Sequence, residues 1–556
     1  ARSGMLAPMF CYQCEQTVKM TGCTTFGACG KDPETAALQD LLLHACRGIS
    51  AFAHRTRARG AHSPAVDRFV MDALFTTVTN VNFDPERLQQ QLVEAGAMLR
   101  QARDLYLDTC AVAAAAPEAL NGATCWTPAA TTAESVAAGR RVGLRERFRT
   151  VEADVASLQE ILTYGLKGMA AYAHHAAVLG SESESFYAFM HEALAAIENR
   201  LAAPDALLAL CLRCGAVNLE VMALLDEAHR RRFGSPEPTS VRVEPIPGKC
   251  ILVSGHDLHD LEALLQQTEG KGIHIYTHGE MLPAHGYPRL KRFRHLVGNY
   301  GGAWQDQRSE FAAFPGAILM TTNCIQKPVE SYTRRIFTSG VVAWPGVVHV
   351  SATDFSPVIE AALAAPGFEA AGPDHRITVG FAHEAILANA GKVVDAVKAG
   401  QLKHFFLIGG CDGAKAGRNY YTEFATSVPD DCAVLTLGCA KYRFNKLEFG
   451  DIGGLPRLLD CGQCNDAYSA IKVAGALAQA FGCGINELPL SLVISWFEQK
   501  AVAVLLTLLH LGVRNIRLGP DLPAFVSPGV LGILVERFGL QGITTAEADL
   551  QACLTK

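Results

Sequence analysis

The chain of 556 residues is longer than one hydrophobic core supports, which predicts about three domains. Hydrophobic residues make up 49% of it and charged residues 19%, so the composition excludes a disordered protein and favours well-packed globular domains. The formal net charge of −6 gives no basic excess of the kind that binds nucleic acid.

The longest strongly apolar run, residues 501–509, has about half of the roughly 20 residues that a membrane span requires. Residues 1–8 lack the long apolar core of a secretory signal. We therefore expect a cytoplasmic protein with no membrane segment and no nucleic-acid partner. Because thiols stay reduced in that compartment, the eighteen cysteines indicate metal or redox chemistry wherever they cluster.

Four cysteines lie within nineteen residues near the amino end, in a segment too short and too rich in glycine for a core of its own: Cys11, Cys14, Cys23 and Cys29. Thiolates in such a segment are typical ligands of a tetrahedral metal ion or an iron–sulfur cluster. Disulfides are the alternative, but they need an oxidising compartment. Directly afterwards, Asp32 as N-cap and Pro33 at the first helical position predict the start of a helix.

The amino-terminal half contains an internal repeat with an offset of 120 residues. Residues 38–54 resemble residues 158–174, and the match continues from 69–74 to 189–194. Each copy has the pattern of about three helices, which predicts two similar helical bundles, residues 34–117 and 151–232, within a domain of residues 1–236. His54 and His174 occupy the same place in the two copies, where a repeated structural contact is favoured over a functional role.

After Pro238 short apolar runs alternate with helical patterns, which predicts βαβ units with parallel sheets. The predicted strands are 250–253, 273–276, 318–321, 347–350, 377–379, 405–408, 433–437, 492–495 and 516–518. We divide this half into two Rossmann-like α/β domains, residues 237–385 and 386–556. The predicted fold class is therefore multidomain α plus α/β: a duplicated three-helix-bundle domain followed by two Rossmann-like domains.

Residues of metal-binding type follow six of the predicted strands, and a seventh lies in a glycine-rich loop before a helix. Sites of open α/β sheets form at the carboxyl ends of the strands, so we expect these side chains to meet. One such residue is usually packing or surface, whereas six are hard to attribute to chance. Mixed Cys, His and Glu ligands suit iron, while structural zinc more often uses four closely spaced ligands. We hypothesise a multi-iron centre between the domains, with a zinc-stabilised protein as the alternative. Its ligands are His256, Glu280, Cys324, Cys411, Cys439, Glu498 and, from the loop, Cys464.

The other cysteines carry weaker predictions. Cys211 and Cys214 form a C-x-x-C within a predicted helix, where packing is favoured over a redox pair. Cys461 has no assigned role. Six isolated cysteines are predicted to be small buried hydrophobic residues: Cys46, Cys110, Cys125, Cys432, Cys483 and Cys553.

Eight segments together resemble one known family: FCYQCEQ at 10–16, VSGHDL at 253–258, YTHGEMLPAHGYP at 276–288, TNC at 322–324, GGCDG at 409–413, GCAK at 438–441, GQCNDAY at 462–468 and SWFEQK at 495–500. By these segments the chain, over almost its whole length from Met9, resembles the hybrid-cluster (prismane) proteins, also called hydroxylamine reductases. More distantly it resembles the nickel–iron carbon monoxide dehydrogenases.

The resemblance implies a [4Fe-4S] cluster on Cys11, Cys14, Cys23 and Cys29, because their close spacing is similar to the family branch with that cluster and not to the [2Fe-2S] branch. It further implies a hybrid [4Fe-2O-2S] cluster, with a persulfide on Cys411. The implied ligands of the hybrid cluster are His256, Glu280, Cys324, Cys411, Cys439, Cys464 and Glu498. The prediction of two helical bundles matches the branch of the family whose members keep both bundles.

The activity that the resemblance implies is reduction of hydroxylamine to ammonia and water, with two electrons and two protons. Electrons would enter through the amino-terminal cluster from an external donor protein. The alternatives are a nitric oxide reductase of nitrosative stress, an S-nitrosylating redox protein and, less favoured, an enzyme like carbon monoxide dehydrogenase.

Five residues are candidates for catalysis: His256, Glu280, Cys411 and Glu498 as ligands, and Lys500 as the proton source. His278 is a second candidate for the proton source, although surface solvation is favoured for it. No G-x-G-x-x-G segment follows a strand and opens a helix, so flavin or nicotinamide binding is not predicted.

Overall fold

The computed structural model of the protein describes residues 9–198 and 202–555, so the leader of residues 1–8 lies outside the described residues. The amino-terminal half is helical. Its helices are α1 (Pro33–Arg57), α2 (Pro64–Thr76), α3 (Pro85–Val112), α4 (Thr132–Val142), α5 (Leu144–Phe148), α6 (Ala153–Val178), α7 (Glu184–Glu198) and α8 (Pro204–Phe233).

Proline and a capping side chain start α1, as the sequence predicts. The Asp32 carboxylate accepts the N–H of Thr35 at 2.7 Å, and Pro33 occupies the first turn. The same device recurs at α2, where Ser63 precedes Pro64. These caps satisfy backbone donors that a helix leaves unpaired at its amino end.

The repeat found in the sequence is visible in the helices. Helices α6, α7 and α8 begin 120, 120 and 119 residues after α1, α2 and α3. The two copies interlock, because α1 packs on α7 and α6 packs on α2. A single contiguous core therefore spans both copies.

Helix α8 is the one described helix that is long and apolar enough to cross a membrane by length and composition. In the structure it packs along α6 and the later helix of residues Gln499–His510. Cys211, Val221 and Leu225 on its inner side are almost completely buried. The same composition is typical of a core helix in a globular protein.

The carboxyl-terminal half contains two six-stranded parallel sheets within the described residues, which confirms the prediction of parallel sheets. The first has the order β4-β3-β2-β5-β6-β7 and the second β13-β10-β9-β14-β15-β16. The strands are β1 (Thr239–Arg242), β2 (Lys249–Ser254), β3 (Ile273–His278), β4 (Leu296–Asn299), β5 (Ala317–Met320), β6 (Ile336–Thr338), β7 (Val348–His349), β8 (Arg376–Val379), β9 (His404–Gly410), β10 (Cys432–Thr436), β11 (Asp451–Ile452), β12 (Leu455–Pro456), β13 (Leu458–Asp460), β14 (Leu490–Ser495), β15 (Arg517–Gly519) and β16 (Gln541–Gly542).

One predicted strand was assigned to the wrong kind of sheet. Residues 377–379 fall in β8, which pairs antiparallel with β1 outside both parallel sheets. Alternate residues of β8 are exposed, as in a two-stranded ribbon with one face in solvent. Seven short strands were not predicted: β1, β4, β6, β11, β12, β13 and β16.

Helices flank both sheets, as βαβ connections require. They are α9 (Leu258–Thr268), α10 (Pro288–Lys291), α11 (Gln307–Ala313), α12 (Ser356–Ala364), α13 (His383–Leu387), α14 (Ala390–Lys398), α15 (Asn419–Ser427), α16 (Ala467–Phe481), α17 (Gln499–His510), α18 (Pro528–Phe538) and α19 (Ala546–Leu554). Helix α17 leaves the sheet region to pack on α6 and α8 of the second helical copy.

The carboxyl edges of the two sheets face each other. The Gln463 amide, beyond β13, donates to the carbonyl of His256 at 3.1 Å and to that of Glu280 at 2.9 Å, both beyond the first sheet. The Tyr442 hydroxyl donates to the Gly279 carbonyl at 2.7 Å. Loops after the strands of one sheet thus touch loops after the strands of the other.

Candidate active site

The sheet order brings the predicted donors together at two reversals of strand order. In the first sheet β2 lies between β3 and β5, so His256 and Cys324 follow neighbouring strands. In the second sheet β9 lies between β10 and β14, so Cys411 and Glu498 follow neighbouring strands. Such switch points leave a crevice at the carboxyl edge where ligands bind.

Three donors from three loops converge most closely. The ligand atoms of His256, Glu280 and Cys464 all lie within 4.8 Å of one another, and all three residues are buried. The His256 Nε2 is 2.6 Å from a Glu280 carboxylate oxygen. On the other side of the ring, His256 Nδ1 is 2.9 Å from the Thr322 hydroxyl, which also accepts the His256 N–H. A partner on Nδ1 orients the ring and leaves Nε2 for the site, as in many metal-binding histidines.

Two glycines on the second helical copy admit the helix that carries Glu498 and Lys500. A Cβ on Gly168 of α6 would lie 2.3 Å from the Gln499 carbonyl oxygen, and one on Gly215 of α8 would lie 2.0 Å from the Leu506 carbonyl oxygen. Both distances are impossible for a real side chain. The main chain of α17 can therefore approach α6 and α8 only because both residues are glycine.

Lys500 is buried with its ammonium group in the middle of the predicted ligands. Its Nζ is 3.1 Å from His256 Nε2, donates to Asn323 Oδ1 at 2.9 Å and is 3.5 Å from a Glu498 carboxylate oxygen. Burial by itself lowers the pKa of Lys500, but the charges of Glu498, Cys464 and Glu280 outweigh it and raise the pKa. Lys500 is 1% exposed, so it is not a solvated surface residue.

The electrostatics of the site fit a bound cation. Burial raises the pKa of Cys324, Cys439 and Cys464 well above its usual range, and that of Cys411 to about 12. Burial also opposes charge on Glu280, but His256 and the two nearby lysines lower its pKa to about 2. Buried thiols of this kind lose their protons only when positive charge is added, and a bound metal ion deprotonates thiols in this way.

One donor atom in the site has no partner. Glu280 Oε1 is buried and accepts no hydrogen bond among the described atoms. Its other oxygen is 3.3 Å from the backbone N–H of Cys464. A buried carboxylate oxygen left without a hydrogen-bond donor is costly, so this oxygen fits coordination of a bound cation. Sulfur, imidazole and carboxylate donors together fit iron.

The four amino-terminal thiols lie near enough for their charges to act on one another, but they are not among the described sets of ligand atoms that lie within 4.8 Å of one another. Cys11 and Cys23 are joined by an antiparallel backbone bridge, with N–H···O distances of 3.1 and 2.8 Å. Burial and the neighbouring Cys29 and Cys11 raise the pKa of Cys14. All eighteen cysteines are free thiols, so the disulfide alternative is not found. Cys11 and Cys29 are partly exposed, while Cys14 and Cys23 are buried.

The two groups of thiols are connected through one buried hydrophobic cluster. Cys14 packs in one buried cluster with Cys324 and Cys439, around the rings of Trp304 and Phe497. These two rings are stacked with centroids 4.4 Å apart. The N–H of Glu15 donates to the Phe497 carbonyl at 2.9 Å, and the Gln499 amide donates to the Gln13 carbonyl at 2.6 Å. The cysteine loop is thus anchored to the residues that flank Glu498.

Of the histidine predictions, the one for His278 needs correction, whereas the structural contact predicted for His174 is present. His278 is fully buried, bonded to Ser254 at 2.9 Å and to Glu310 at 2.7 Å, so surface solvation is wrong for it. His174 binds Asp72 at 2.7 Å, whereas its neighbour His175 stacks on His256 with ring centroids 6.4 Å apart. The repeated histidine makes a contact between helices, and the adjacent residue reaches the site.

The isolated cysteines behave mostly as predicted. Cys211 and Cys214 are buried, and Cys211 donates to a backbone carbonyl of α6. Cys461 is buried with no second donor nearby in the described groups of possible ligands. Cys125 is exposed, because it ends a short helical turn at the surface, so the prediction of burial is wrong there, and Cys483 is only partly buried.

Several residues at the site were not singled out from the sequence. Tyr172 lies with its hydroxyl beside the Cys464 thiol, and Lys441 donates to Asp460 and to the Gly462 carbonyl below Cys464. Lys441 belongs to the segment GCAK, from which the sequence analysis selected only Cys439 as a site residue. Tyr172 could have been found from the repeat, since the matching residue of the first copy is Phe52.

Comparison with known proteins gives consistent matches over almost the full chain. The model of the Prismane/CO dehydrogenase family matches residues 9–551. A hydroxylamine reductase of Rhodospirillum rubrum is 57% identical over 544 residues, covering 98% of this chain and 99% of the relative. A hydroxylamine reductase of Burkholderia lata is 58% identical over 552 residues, covering 99% and 100%.

Solved structures share the fold at much lower identity. Carbon monoxide dehydrogenase IV from Carboxydothermus hydrogenoformans has a TM-score of 0.55 and 16% identity, over 98% of this chain and 92% of that chain. A nickel-free carbon monoxide dehydrogenase from Thermococcus sp. AM4 has a TM-score of 0.54 and 17% identity, over 98% and 90%. At this identity the likeness shows the fold alone.

Proposed function

The chain belongs to the Prismane/CO dehydrogenase family, and from this premise we propose that it is a hydroxylamine reductase working at an iron–sulfur–oxygen centre between its two sheets. The curated relatives at 53–58% identity over the whole chain carry that activity in their names. The observation that carries the proposal is the buried convergence of His256, Glu280 and Cys464 within 4.8 Å.

The residues that would hold the hybrid cluster are those of the site: His256, Glu280, Cys324, Cys411, Cys439, Cys464 and Glu498. When bound, that centre supplies electrons and an iron site open to a small ligand. The four amino-terminal thiols would hold a [4Fe-4S] cluster that receives electrons from a donor protein. The packing of Cys14 with Cys324 and Cys439 supports electron transfer between the two groups.

The reaction consumes two electrons and two protons: NH₂OH + 2e⁻ + 2H⁺ → NH₃ + H₂O. The N–O bond breaks, and its oxygen leaves as water. Lys500 is buried and places Nζ, a proton donor, within the ligand set, 3.1 Å from His256 Nε2. It therefore serves as the local acid for the departing oxygen, with Asn323 and Glu498 fixing its position.

The fold shared with carbon monoxide dehydrogenases supports the same general placement of a metal centre, but not the same reaction. Glu280 and Glu498 add two carboxylates to the donor set of this chain, which favours iron with oxygen ligands. As carboxylates, Glu280 and Glu498 provide hydrogen-bond acceptors for a hydroxylated substrate, and Lys500 beside them provides a proton donor.

The test uses purified protein prepared without oxygen. Iron and acid-labile sulfide are measured first, and ammonium is then measured as hydroxylamine is consumed with reduced methyl viologen as donor. We expect the analysis to give about 8 irons per chain, as two four-iron clusters require. We also expect one ammonium for each hydroxylamine consumed. Zinc in place of iron, or carbon monoxide oxidation without hydroxylamine turnover, would refute the proposal.

A further inference from the structure

We propose that the surface formed by α4, α5 and the cysteine loop, here called the arginine face, is the docking site for a small acidic protein that carries one electron on an iron–sulfur cluster. The arginine face comprises residues 140–149 and 18–26. This inference rests on the proposed function, since it supplies the donor for the amino-terminal cluster.

The charge of the arginine face is opposite to that of the chain. Acidic residues outnumber basic ones overall, 55 to 49. Residues 140–149 nevertheless contain five arginines and one acid, Glu146. None of the described ion pairs involves Arg140, Arg141 or Arg145, and all three are exposed. Glu146 is already paired with Arg149, at 3.2 Å.

The segment that carries these arginines lies beside Cys11. Residues 142–144 and Arg147 line the same small cavity as Cys11. The ring of Phe148 contacts the rings of Phe10 and Tyr12, with centroids 5.4 and 5.6 Å apart. Phe10 and Tyr12 flank Cys11 in the chain, so α5 packs directly on the loop that carries the thiols.

The same surface exposes apolar side chains, which is unusual for a loop. Val18, Met20 and Phe26 are 44%, 40% and 46% exposed, and Phe148 is 37% exposed. Gly22 lies against Phe10, which connects the turn of Val18 and Met20 to Phe148. Apolar residues rimmed by charge are typical of a protein-binding surface. The partly exposed Cys11 and Cys29 are accessible next to them.

An acidic partner follows from the charges. At an ionic strength of 0.1 M charges interact over about 10 Å, so unpaired arginines attract only a partner with carboxylates close to its own cluster. Such attraction raises the association rate and orients the complex. Each encounter transfers one electron, which oxidises the carrier by one and reduces the amino-terminal cluster by one. Two encounters therefore supply the two electrons for one hydroxylamine.

The experiment uses an acidic plant-type [2Fe-2S] ferredoxin as the probe. Binding of oxidised ferredoxin is measured by biolayer interferometry at 20 and 200 mM salt, for the holoprotein and for the variant R140E/R141E/R145E. We expect binding to the unchanged protein at 20 mM salt, weakened by 200 mM, and at least about 10-fold weaker binding to the variant. Hydroxylamine reduction driven by reduced ferredoxin should fall about 10- to 100-fold in kcat/KM.

Two controls separate this inference from the proposed function. The variant R100E/R103E changes exposed arginines of α3, where Gln101 contacts Ser63 beyond the far end of α1. It should bind ferredoxin as the unchanged protein does. Reduced methyl viologen needs no docking face, so hydroxylamine turnover with it should not fall in either variant.

Three outcomes would overturn the docking site: no binding of ferredoxin to the unchanged protein at 20 mM salt, unchanged binding to R140E/R141E/R145E, or equal loss in R100E/R103E. Absence of hydroxylamine turnover by the unchanged holoprotein with methyl viologen would instead overturn the proposed function. The iron content of each variant is measured so that lost binding is not confused with a lost cluster.

Discussion

The two helical copies have the same helices in the same register but different neighbours. Gly48 of the first copy and Gly168 of the second are 120 residues apart. Each lies against a main chain, because an added Cβ would be 2.2 Å from the Ala123 carbonyl oxygen or 2.3 Å from the Gln499 carbonyl oxygen. The repeat thus provides two equivalent glycine contacts. The glycine of the first copy contacts a surface turn, and the glycine of the second copy contacts the start of α17.

The side chains on the same helix faces have diverged. Four and seven residues after the glycine, on one face of the helix, the first copy has Phe52 and Arg55. Phe52 packs on Tyr106, and Arg55 binds Glu118. The second copy has Tyr172 beside Cys464 and His175 stacked on His256. Duplication supplied the scaffold, and substitution on one copy supplied a wall of the site.

The largest expected effect concerns the segments that contact the two glycines. We expect Lys500→Ala to lower hydroxylamine turnover about 10³-fold, because the buried proton donor is lost. Its activity should also fall as pH rises, since solvent must then supply the proton. Thr124→Ala, in the surface turn that contacts the equivalent glycine of the first copy, should leave turnover unchanged. Steady-state rates from pH 6 to 9 measure both. An unchanged rate and pH profile in Lys500→Ala would remove Lys500 from this role.

A second comparison substitutes the two glycines, Gly168 and Gly48. Gly168→Ala pushes the start of α17 away from α6, so turnover should fall about 10²-fold as Glu498 and Lys500 shift. Gly48→Ala creates an equal clash with a surface turn. Each substitution should cost about 1–3 kcal/mol of unfolding free energy by overpacking, measured by urea denaturation. Equal losses of turnover per folded molecule in the two variants would contradict the difference between the copies.

A smaller effect is expected from exchanging the side chains at the fourth position. Tyr172→Phe removes the buried hydroxyl beside Cys464, which has no hydrogen-bond partner among the described atoms and is therefore available to a bound ligand, and turnover should fall about 5-fold. Phe52→Tyr buries a hydroxyl without a partner and should cost about 1–3 kcal/mol of stability while turnover stays the same. Rates and the electron paramagnetic resonance spectrum of the reduced protein distinguish the two. A spectrum and rate unaltered in Tyr172→Phe would show that the hydroxyl does not act on the site.

The smallest expected effect is a pH dependence of the stability, which arises from Asp40 in the cavity between the copies. Burial raises the pKa of Asp40 to about 6, although Lys31 and Lys167 oppose the rise. The folded state therefore binds the proton more tightly, and stability falls as pH rises from the unfolded pKa near 4 to about 6. Asp40→Asn removes this cost. It should be more stable than the unchanged protein by about 1–2 kcal/mol at pH 7.5, allowing for partial exposure, and by less at pH 5.

Urea denaturation at the two pH values measures this difference. Asp108→Asn, on the exposed side of α3, removes a charge away from the cavity and should follow the unchanged protein at both pH values. A stability difference for Asp40→Asn that does not grow with pH would show that its carboxylate is not destabilised in the folded protein.

Much of the architecture could be predicted because it depends on local pattern. The 120-residue offset predicts the matched helix starts, and Asp32 with Pro33 predicts the start of α1. Alternating apolar runs predict parallel sheets, and parallel sheets place the residues after their strands at one edge. The membership in the family, too, was predicted from short segments and is confirmed by the full-length match.

The sequence by itself determined which residue types follow the strands and which helices repeat, because both follow from the period of a helix or a strand. Only the tertiary structure decided that His175 and not His174 stacks on His256, that His278 is buried, and that Lys500 lies 3.1 Å from His256. These contacts join residues that are up to 244 positions apart. They depend on how closely two elements approach, and at α17 that approach is set by glycines on a different part of the chain.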